Sequence, residues 1–226
     1  MQQQHRSGLQ PLSYGRQSIS DEDIQTVVDV LRSDFLTQGP AISLFERALV
    51  KETMAQEAVA LSSATAALHL LYLALGLSKG DMVWTSPITF VATANAIRLT
   101  GATVDFVDID PLSFNISPIA LREKLEFTKA SGAKLPKLVI VVHMCGQSAD
   151  MREFKRLSSE YGFRLVEDAS HALGALYHGE PVGSCRYSDA AVFSFHPVKM
   201  ITTGEGGAIL TNDQELFDAV SLLRSH

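Results

Sequence analysis

The residues of this sequence best suited to chemistry follow short apolar segments. Lys199 comes after Phe193-Ser194-Phe195. A lysine among apolar groups loses its proton more easily than a solvated one, and its neutral amine can form a Schiff base with an aldehyde cofactor. Asp168 ends another apolar segment, where a carboxylate needs a partner such as a cationic ligand atom. A solvated lysine and a turn-capping carboxylate are the alternatives, and each is favoured for its segment in isolation.

Two further segments have side chains that fit a ligand. Ser62-Ser63-Ala64-Thr65-Ala66 lies between a strand and a helix. Free N–H groups and hydroxyls at a helix start can bind an anion such as a phosphate, although a plain helix cap is favoured for the segment alone. Phe90, in Ser86-Pro87-Ile88-Thr89-Phe90, could stack on a ring, but such aromatic residues more often pack in a core.

These segments lie between alternating strands and helices. The apolar pattern predicts strands at 58–61, 82–85, 103–107, 138–142, 164–166, 190–195 and 208–210, and helices at 21–32, 40–54, 63–75, 89–99, 118–127, 150–161 and 213–223. Apolar strands separated by helices indicate an α/β fold, with a mainly parallel sheet in a three-layer α/β/α arrangement. Ligands of such folds bind at the carboxyl ends of the strands.

Composition excludes several classes of protein. The chain has 226 residues, 46% hydrophobic and 19% charged, as is ordinary for a globular protein. A net charge of −6 without basic runs makes nucleic acid a poor candidate partner. Two cysteines without a CxxC pair fit a reducing cytoplasm. The apolar stretches fall short of the roughly 20 residues of a membrane-spanning helix, and no export signal is visible, so we expect a cytoplasmic protein without a membrane partner.

Familiar catalytic motifs are absent from the sequence. It contains no GxGxxG after a strand, no GxxxxGK[ST], no GxSxG and no HExxH, and its seven histidines lack metal-ligand spacing. These absences count against a nicotinamide enzyme, a P-loop NTPase, a hydrolase and a zinc enzyme. We expect no metal site.

Taken together and in order, the segments resemble a known family. The chain is similar to the large domain of the fold-type I pyridoxal-phosphate (PLP) enzymes, and within them to the sugar-nucleotide aminotransferases of the DegT/StrS type. The resemblance runs from about Leu12 to the last residue. Its marks are much more specific as an ordered set than singly: Leu36-Thr37-Gln38-Gly39-Pro40, Ser63-Ala64-Thr65, Thr85-Ser86-Pro87, Val166-Glu167-Asp168-Ala169, Ser194-Phe195 before Lys199, and Thr203-Gly204-Glu205-Gly206-Gly207.

The resemblance implies a role for each candidate residue. Lys199 would be the catalytic residue, which holds PLP as a Schiff base and moves a proton between cofactor and substrate carbon. Asp168 would bind the pyridine nitrogen and keep it protonated. The other cofactor contacts would be phosphate binding by Ala64, Thr65 and Ser194, ring stacking by Phe90, and a place beside the phenolic oxygen for His171, where many relatives carry glutamine.

The resemblance also implies a reaction and a substrate. Related sugar dehydratases carry histidine in place of the lysine, so Lys199 favours transamination. The segments 194–203 and 143–147 look most like the subgroup of pseudaminic acid biosynthesis. That subgroup implies a UDP-linked 4-keto-6-deoxy-N-acetylhexosamine as substrate and L-glutamate as amino donor. Another nucleotide-linked ketosugar is the alternative within the family.

Domain organisation follows from the same resemblance. We expect an N-terminal arm at 1–18 and a PLP-binding large domain at 19–226. Family members continue into a smaller C-terminal domain that has no counterpart here, so we expect a truncated chain. A homodimer is implied because active sites of the family lie between subunits. A catalytically incomplete PLP-binding remnant and an unrelated α/β binding protein are the competing hypotheses; Lys199 together with Asp168 favours an active enzyme.

Overall fold

The structure is a computed structural model that describes residues 15–225. Residues 1–14 of the expected N-terminal arm therefore lie outside the described residues, and the division into arm and domain stays a prediction. In the described part, seven strands form one sheet and two short strands, β6 (Leu176–Tyr177) and β7 (Glu180–Pro181), form a separate hairpin. The sheet strands are β1 (Glu57–Leu61), β2 (Met82–Thr85), β3 (Thr103–Phe106), β4 (Leu138–Val142), β5 (Arg164–Asp168), β8 (Ala190–Ser194) and β9 (Gly207–Thr211).

The sheet is mainly parallel, as predicted. Its strand order is β1-β9-β8-β5-β4-β2-β3. Five neighbouring strands, from β3 to β8, pair in parallel, and β9 is antiparallel to both of its neighbours, β8 and β1. The parallel strands need crossover connections, which helices supply except between β5 and β8, where the connection contains the β6–β7 hairpin. The carboxyl ends of β4, β5 and β8 consequently meet at one edge of the sheet.

Helices cover both faces of this sheet. Leu138 and Ile140 of β4 belong to one apolar core and Val139 and Val141 to another, because successive strand residues face opposite sides. The first core also contains residues of α3, α4 and α7, and the second contains residues of α5 and α6. The three-layer α/β/α fold is thus confirmed. The helices are α1 (Asp21–Arg32), α2 (Pro40–Thr53), α3 (Ala64–Ala74), α4 (Val91–Leu99), α5 (Pro118–Ala130), α6 (Met151–Tyr161) and α7 (Gln214–Arg224).

Some element boundaries differ from the prediction, and two of the differences fall at the site. β5 continues to Asp168 rather than ending at 166, because its ladder with β4 pairs Val142 with Asp168. The helix predicted from 89 begins at Val91, with Phe90 as its N-cap. The β6–β7 hairpin was not predicted, since strands of two residues are too short to show a period. Within residues 15–225, no helix combines the length and apolar character needed to cross a bilayer.

Candidate active site

A cavity of about 630 Å³ opens at the carboxyl ends of the strands. It brings together every residue that the sequence predicted for the cofactor: Ala64, Thr65, Phe90, Asp168, His171, Ser194 and Lys199. β5 supplies Asp168, β8 supplies Ser194, and α3 begins at Ala64. Segments up to 135 residues apart in the chain, from Ala64 to Lys199, therefore line one volume. This convergence is what the strand-end argument predicted.

Asp168 is buried at the floor of the cavity and held by two hydroxyls. Its Oδ2 accepts a hydrogen bond from Thr93 Oγ1 at 2.8 Å, and its Oδ1 accepts one from Ser170 Oγ at 2.7 Å. Thr93 Oγ1 in turn lies 2.7 Å from Thr89 Oγ1. These bonds fix the carboxylate plane and compensate part of its desolvation. The sequence reasoning missed Thr93, whose only signal was a second threonine four residues after Thr89.

Lys199 lies half-buried in the cavity, with its Nζ 2.5 Å from His171 Nε2. Burial lowers the pKa of the Lys199 ammonium below its ordinary value, and the negative charge of Asp168 opposes part of that effect. Burial also lowers the pKa of His171, the charge of Lys199 lowers it further, and Asp168 again acts in the opposite direction. The arrangement favours a neutral amine, the form that attacks an aldehyde.

The start of α3 presents backbone N–H groups at the cavity, and we name this turn the α3 cup. Ser63 caps the helix and accepts a hydrogen bond from the N–H of Ala66 at 3.1 Å, so the N–H groups of Ala64 and Thr65 have no partner within the helix. Gly207 lies against this turn, where a Cβ would be 2.4 Å from the Ala64 nitrogen. The helix start with its free N–H groups suits a phosphate.

Gly207 also explains how Ser194 reaches the α3 cup. In the antiparallel pair β8–β9, Ser194 is the register partner of Gly207. The glycine lets β9 approach α3 closely, and Ser194 is carried to the same place by the ladder. The sequence analysis named Gly207 only as the last residue of the motif Thr203-Gly204-Glu205-Gly206-Gly207. Its packing against the Ser63–Ala64 peptide is a tertiary contact, which local sequence does not reveal.

Phe90 and several polar side chains form the open part of the cavity. Phe90 is 74% exposed, so a face of its ring is available to a ligand. Its stacking role stays a prediction. Cys145, His196 and Glu205 also line the cavity but were not among the predicted cofactor contacts.

Among the residues that the structure describes, no group of three or more His, Cys, Asp or Glu side chains is placed to hold a metal ion.

The residues present fit three groups of PLP, namely its aldehyde, its pyridine nitrogen and its phosphate. The cavity offers an amine of lowered pKa for the aldehyde, a buried carboxylate for the pyridine nitrogen and a helix start for the phosphate. This set, on a mainly parallel three-layer sheet, defines a PLP-dependent enzyme of fold type I. The chain belongs to the DegT/DnrJ/EryC1/StrS aminotransferase family, whose sequence profile matches residues 17–226. The family resemblance seen in the sequence is confirmed.

Individual relatives agree with this assignment. The chain is 44% identical, over 95% of its length, to the UDP-4-amino-4,6-dideoxy-N-acetyl-beta-L-altrosamine transaminase of Campylobacter jejuni, of which it covers 55%. It is 41% identical over 93% of its length to the UDP-4-amino-4-deoxy-L-arabinose–oxoglutarate aminotransferase of Shewanella sediminis, of which it covers 52%. The chain thus spans about half the length of the curated relatives it matches.

Among solved structures, Helicobacter pylori PseC, an aminotransferase involved in the biosynthesis of pseudoaminic acid, superposes with a TM-score of 0.88. The two chains are 36% identical, and the match covers 95% of this chain and 56% of PseC. DesI, solved in the presence of its TDP-sugar product, superposes with a TM-score of 0.84 at 34% identity, covering 96% of this chain and 53% of DesI. Both structural matches therefore support the fold and the family assigned to this chain.

Proposed function

We propose that this chain carries the PLP-binding half of a sugar-nucleotide aminotransferase. The reaction transfers an amino group from L-glutamate to the keto group of a nucleotide-linked 4-keto-6-deoxy-hexosamine. One observation carries the proposal: Lys199, Asp168 and the start of α3 line the same cavity. The amine matches the aldehyde of PLP, the carboxylate matches its pyridine nitrogen, and the N–H groups at the start of α3 match its phosphate. An incidental lysine in an unrelated α/β binding protein would have no reason to share a cavity with both of the other groups.

The chain's own residues have distinct tasks in this reaction. When bound, PLP supplies an aldehyde for attachment of the amino group and a ring that withdraws electrons from the substrate carbon. Asp168, oriented by Thr93 and Ser170, holds a proton at the pyridine nitrogen. Lys199 Nζ, whose pKa is lowered by burial, would move a proton between the substrate carbon and the cofactor carbon that carried the aldehyde, in one direction for the donor and in the other for the sugar. Ala64 and Thr65 orient the cofactor through its phosphate.

The substrate and the donor are inferred from the relatives. The Campylobacter jejuni relative is named for a UDP-linked amino sugar, which supports a UDP-linked 4-keto sugar as the amino acceptor here. The involvement of PseC in the biosynthesis of pseudoaminic acid supports a place in that pathway for this chain. The Shewanella sediminis relative is named for oxoglutarate, the keto acid that remains when glutamate gives up its amino group. That name supports L-glutamate as the amino donor. We further propose that the enzyme works in the cytoplasm.

A homodimer is part of the proposal. Helix α1 buries none of its residues in the described chain, and its apolar side chains Ile24, Val27 and Leu31 are exposed on one helical face. An exposed apolar stripe of this kind needs a covering surface. Size-exclusion chromatography with light scattering tests the dimer, and a monomer at all concentrations would contradict it.

The alternative to this proposal is a protein that binds the cofactor without turnover. Two assays separate the hypotheses. The first mixes the chain with PLP and L-glutamate and measures 2-oxoglutarate; the second adds the UDP-linked 4-keto sugar and measures the amino sugar. If the unmodified chain forms both products and Lys199→Ala forms neither, the aminotransferase is supported. If the unmodified chain retains PLP but forms neither product, binding without turnover is supported.

A further inference from the structure

Glu167 is a buried carboxylate for which the proposed reaction has no task. It is 4% exposed and precedes Asp168 in β5, so its side chain faces the opposite side of the sheet. Its Oε2 accepts a hydrogen bond from His143 Nε2 at 2.7 Å, and its Oε1 accepts one from Ser188 Oγ. A charge so far from water is costly to keep, which indicates that its contacts have a use.

His143 is tied at both ring nitrogens. Its Nδ1 accepts a hydrogen bond from the N–H of Ala149 at 3.2 Å, so Nδ1 is unprotonated and the proton lies on Nε2, which donates to Glu167. His143 is 1% exposed. With both nitrogens engaged, the ring is unsuited to carry protons in the cavity. Instead it joins the first and last residues of the segment 143–149, which we name the wall loop.

The wall loop has a second anchor and borders the cavity. Buried Asn115 accepts a hydrogen bond from the Met144 N–H at 2.8 Å and donates to the Gln147 carbonyl at 3.1 Å. Met144 and Cys145, between these two contacts, line the cavity. The loop is thus held at three backbone positions, the N–H groups of Met144 and Ala149 and the carbonyl of Gln147. The side of the loop that carries Met144 and Cys145 borders the cavity.

The wall loop also packs against the segment that carries His171. Gly146 has φ +85°, and a Cβ there would lie 2.4 Å from the His171 carbonyl oxygen. The glycine backbone therefore supports the peptide of His171 directly. His171 in turn contacts Lys199 through Nε2. A continuous line of contacts runs from the buried carboxylate to the amine: Glu167, His143, the wall loop at Gly146, His171 and Lys199.

We propose that Glu167 is a positioning residue, which fixes the wall loop through His143 and thereby holds His171 against Lys199. The proposal rests on the proposed role of Lys199, but the contacts themselves do not depend on a bound cofactor. It assigns the two consecutive acids of β5 separate tasks on opposite sides of the sheet. Asp168 faces the ligand, and Glu167 braces the cavity wall.

The wall loop offers direct probes in the backbone N–H groups of Met144 and Ala149, which donate to Asn115 and His143. We would measure their hydrogen-exchange rates by NMR in the cofactor-free protein. Glu167→Gln keeps the size of the side chain but replaces one acceptor oxygen with a donor, so the two hydrogen bonds donated to Glu167 cannot both survive unchanged. We expect about tenfold faster exchange, since losing one buried hydrogen bond shifts local opening by roughly that factor.

The second readout is the pH midpoint for acetylation of Lys199, also without cofactor. If the wall loop loosens, His171 withdraws and water reaches the amine, so the midpoint rises toward that of a solvated lysine. The variant leaves the titratable side chains that line the cavity in place, namely His143, Cys145, Asp168, His171, His196, Lys199 and Glu205, and changes only the partner of His143 from a carboxylate to an amide. An altered midpoint therefore reports a displaced contact rather than a lost charge in the cavity.

Ser158→Ala is the matched control, because it removes a buried hydrogen bond to the Phe163 carbonyl and makes no contact with the wall loop. It should lower the unfolding temperature without moving either readout. A folded Glu167→Gln protein that matches the control in both readouts would overturn the proposal. If Glu167→Gln does not fold, Asn115→Ala, which loosens the same loop from its other anchor, decides by the exchange of the Ala149 N–H and by the acetylation midpoint. Neither readout involves cofactor, so failure of the proposed function would be seen separately.

Discussion

Lys199 Nζ and His171 Nε2 lie 2.5 Å apart at the mouth of the cavity. Two protonated groups at this separation would repel each other strongly, because the surroundings are partly desolvated. Burial lowers the pKa of each group, and the charge of the lysine lowers that of the histidine further. The charge of the lysine disfavours a second proton on the histidine, and the lowered pKa of Lys199 brings its neutral, nucleophilic form closer to neutral pH.

The charge of Asp168 sets the direction of a first prediction. Burial lowers the pKa of Lys199 and Asp168 raises it, so Asp168→Asn should lower it further. The amine would then react at lower pH than in the unmodified protein. Acetylation of Lys199 as a function of pH, followed by mass spectrometry of the cofactor-free protein, measures the midpoint. An unchanged or higher midpoint in Asp168→Asn would contradict the assigned charge coupling.

The histidine should respond to the lysine. Burial lowers the pKa of His171 first and the Lys199 charge second, so Lys199→Met removes only the second cause. The pKa of His171 should rise toward, but stay below, its ordinary value. Two-dimensional NMR of the imidazole carbon-bound protons across a pH titration measures it. A pKa of His171 that does not rise in Lys199→Met would contradict the contact between the two side chains.

Asp168 and its support should contribute unequally to PLP affinity. Asp168→Asn removes a charge-assisted hydrogen bond, which is worth about 1.5–3 kcal/mol, and should weaken binding by roughly 10- to 100-fold. Thr93→Val removes only the orienting hydroxyl and should weaken binding by about two- to tenfold. Thr100→Val is the control at the other end of the same helix, since that hydroxyl donates to the Ile97 carbonyl and not to Asp168. Fluorescence titration with PLP ranks the three; a reversed order would refute the assigned roles.

Gly207 should be intolerant of a side chain. In Gly207→Ala the new Cβ would approach the Ala64 nitrogen to 2.4 Å and push β9 away from the start of α3. We expect at least about tenfold weaker binding of PLP, because displacement of the helix start disturbs several hydrogen-bond donors together. Gly15→Ala is the matched control, since its Cβ would meet only Val198, at 3.8 Å or more. Equal affinity in both variants would place the phosphate elsewhere.

The sequence allowed the fold and the cofactor residues to be predicted for different reasons. The sheet was predictable because β4 and β8 are apolar along nearly their whole length, the pattern of a strand buried on both faces. The cofactor residues were predictable because Lys199 and Asp168 belong to an ordered set of motifs. The strand ends then brought them together.

What the sequence could not reveal depends on contacts across the fold. Thr93 reaches Asp168 only because α4 packs beside the end of β5. Gly207 touches the start of α3 only because β9 passes close to it. In the sequence, Glu167 is simply one of two consecutive acids. It lies beside His143 because successive side chains of β5 face opposite sides of the sheet and because β5 pairs with β4. Such contacts follow from register and packing rather than from local residue pattern.

Borohydride trapping of PLP on the purified chain, followed by peptide mapping, tests the central claim most directly. The proposed site predicts a reduced, covalent cofactor on the peptide that contains Lys199, and no such label in Lys199→Ala. The variant Lys199→Arg keeps the charge and should also remain unlabelled, because a guanidinium forms no Schiff base under these conditions. Label that persists in Lys199→Ala, or that maps to another lysine in the unmodified chain, would contradict the assignment of Lys199.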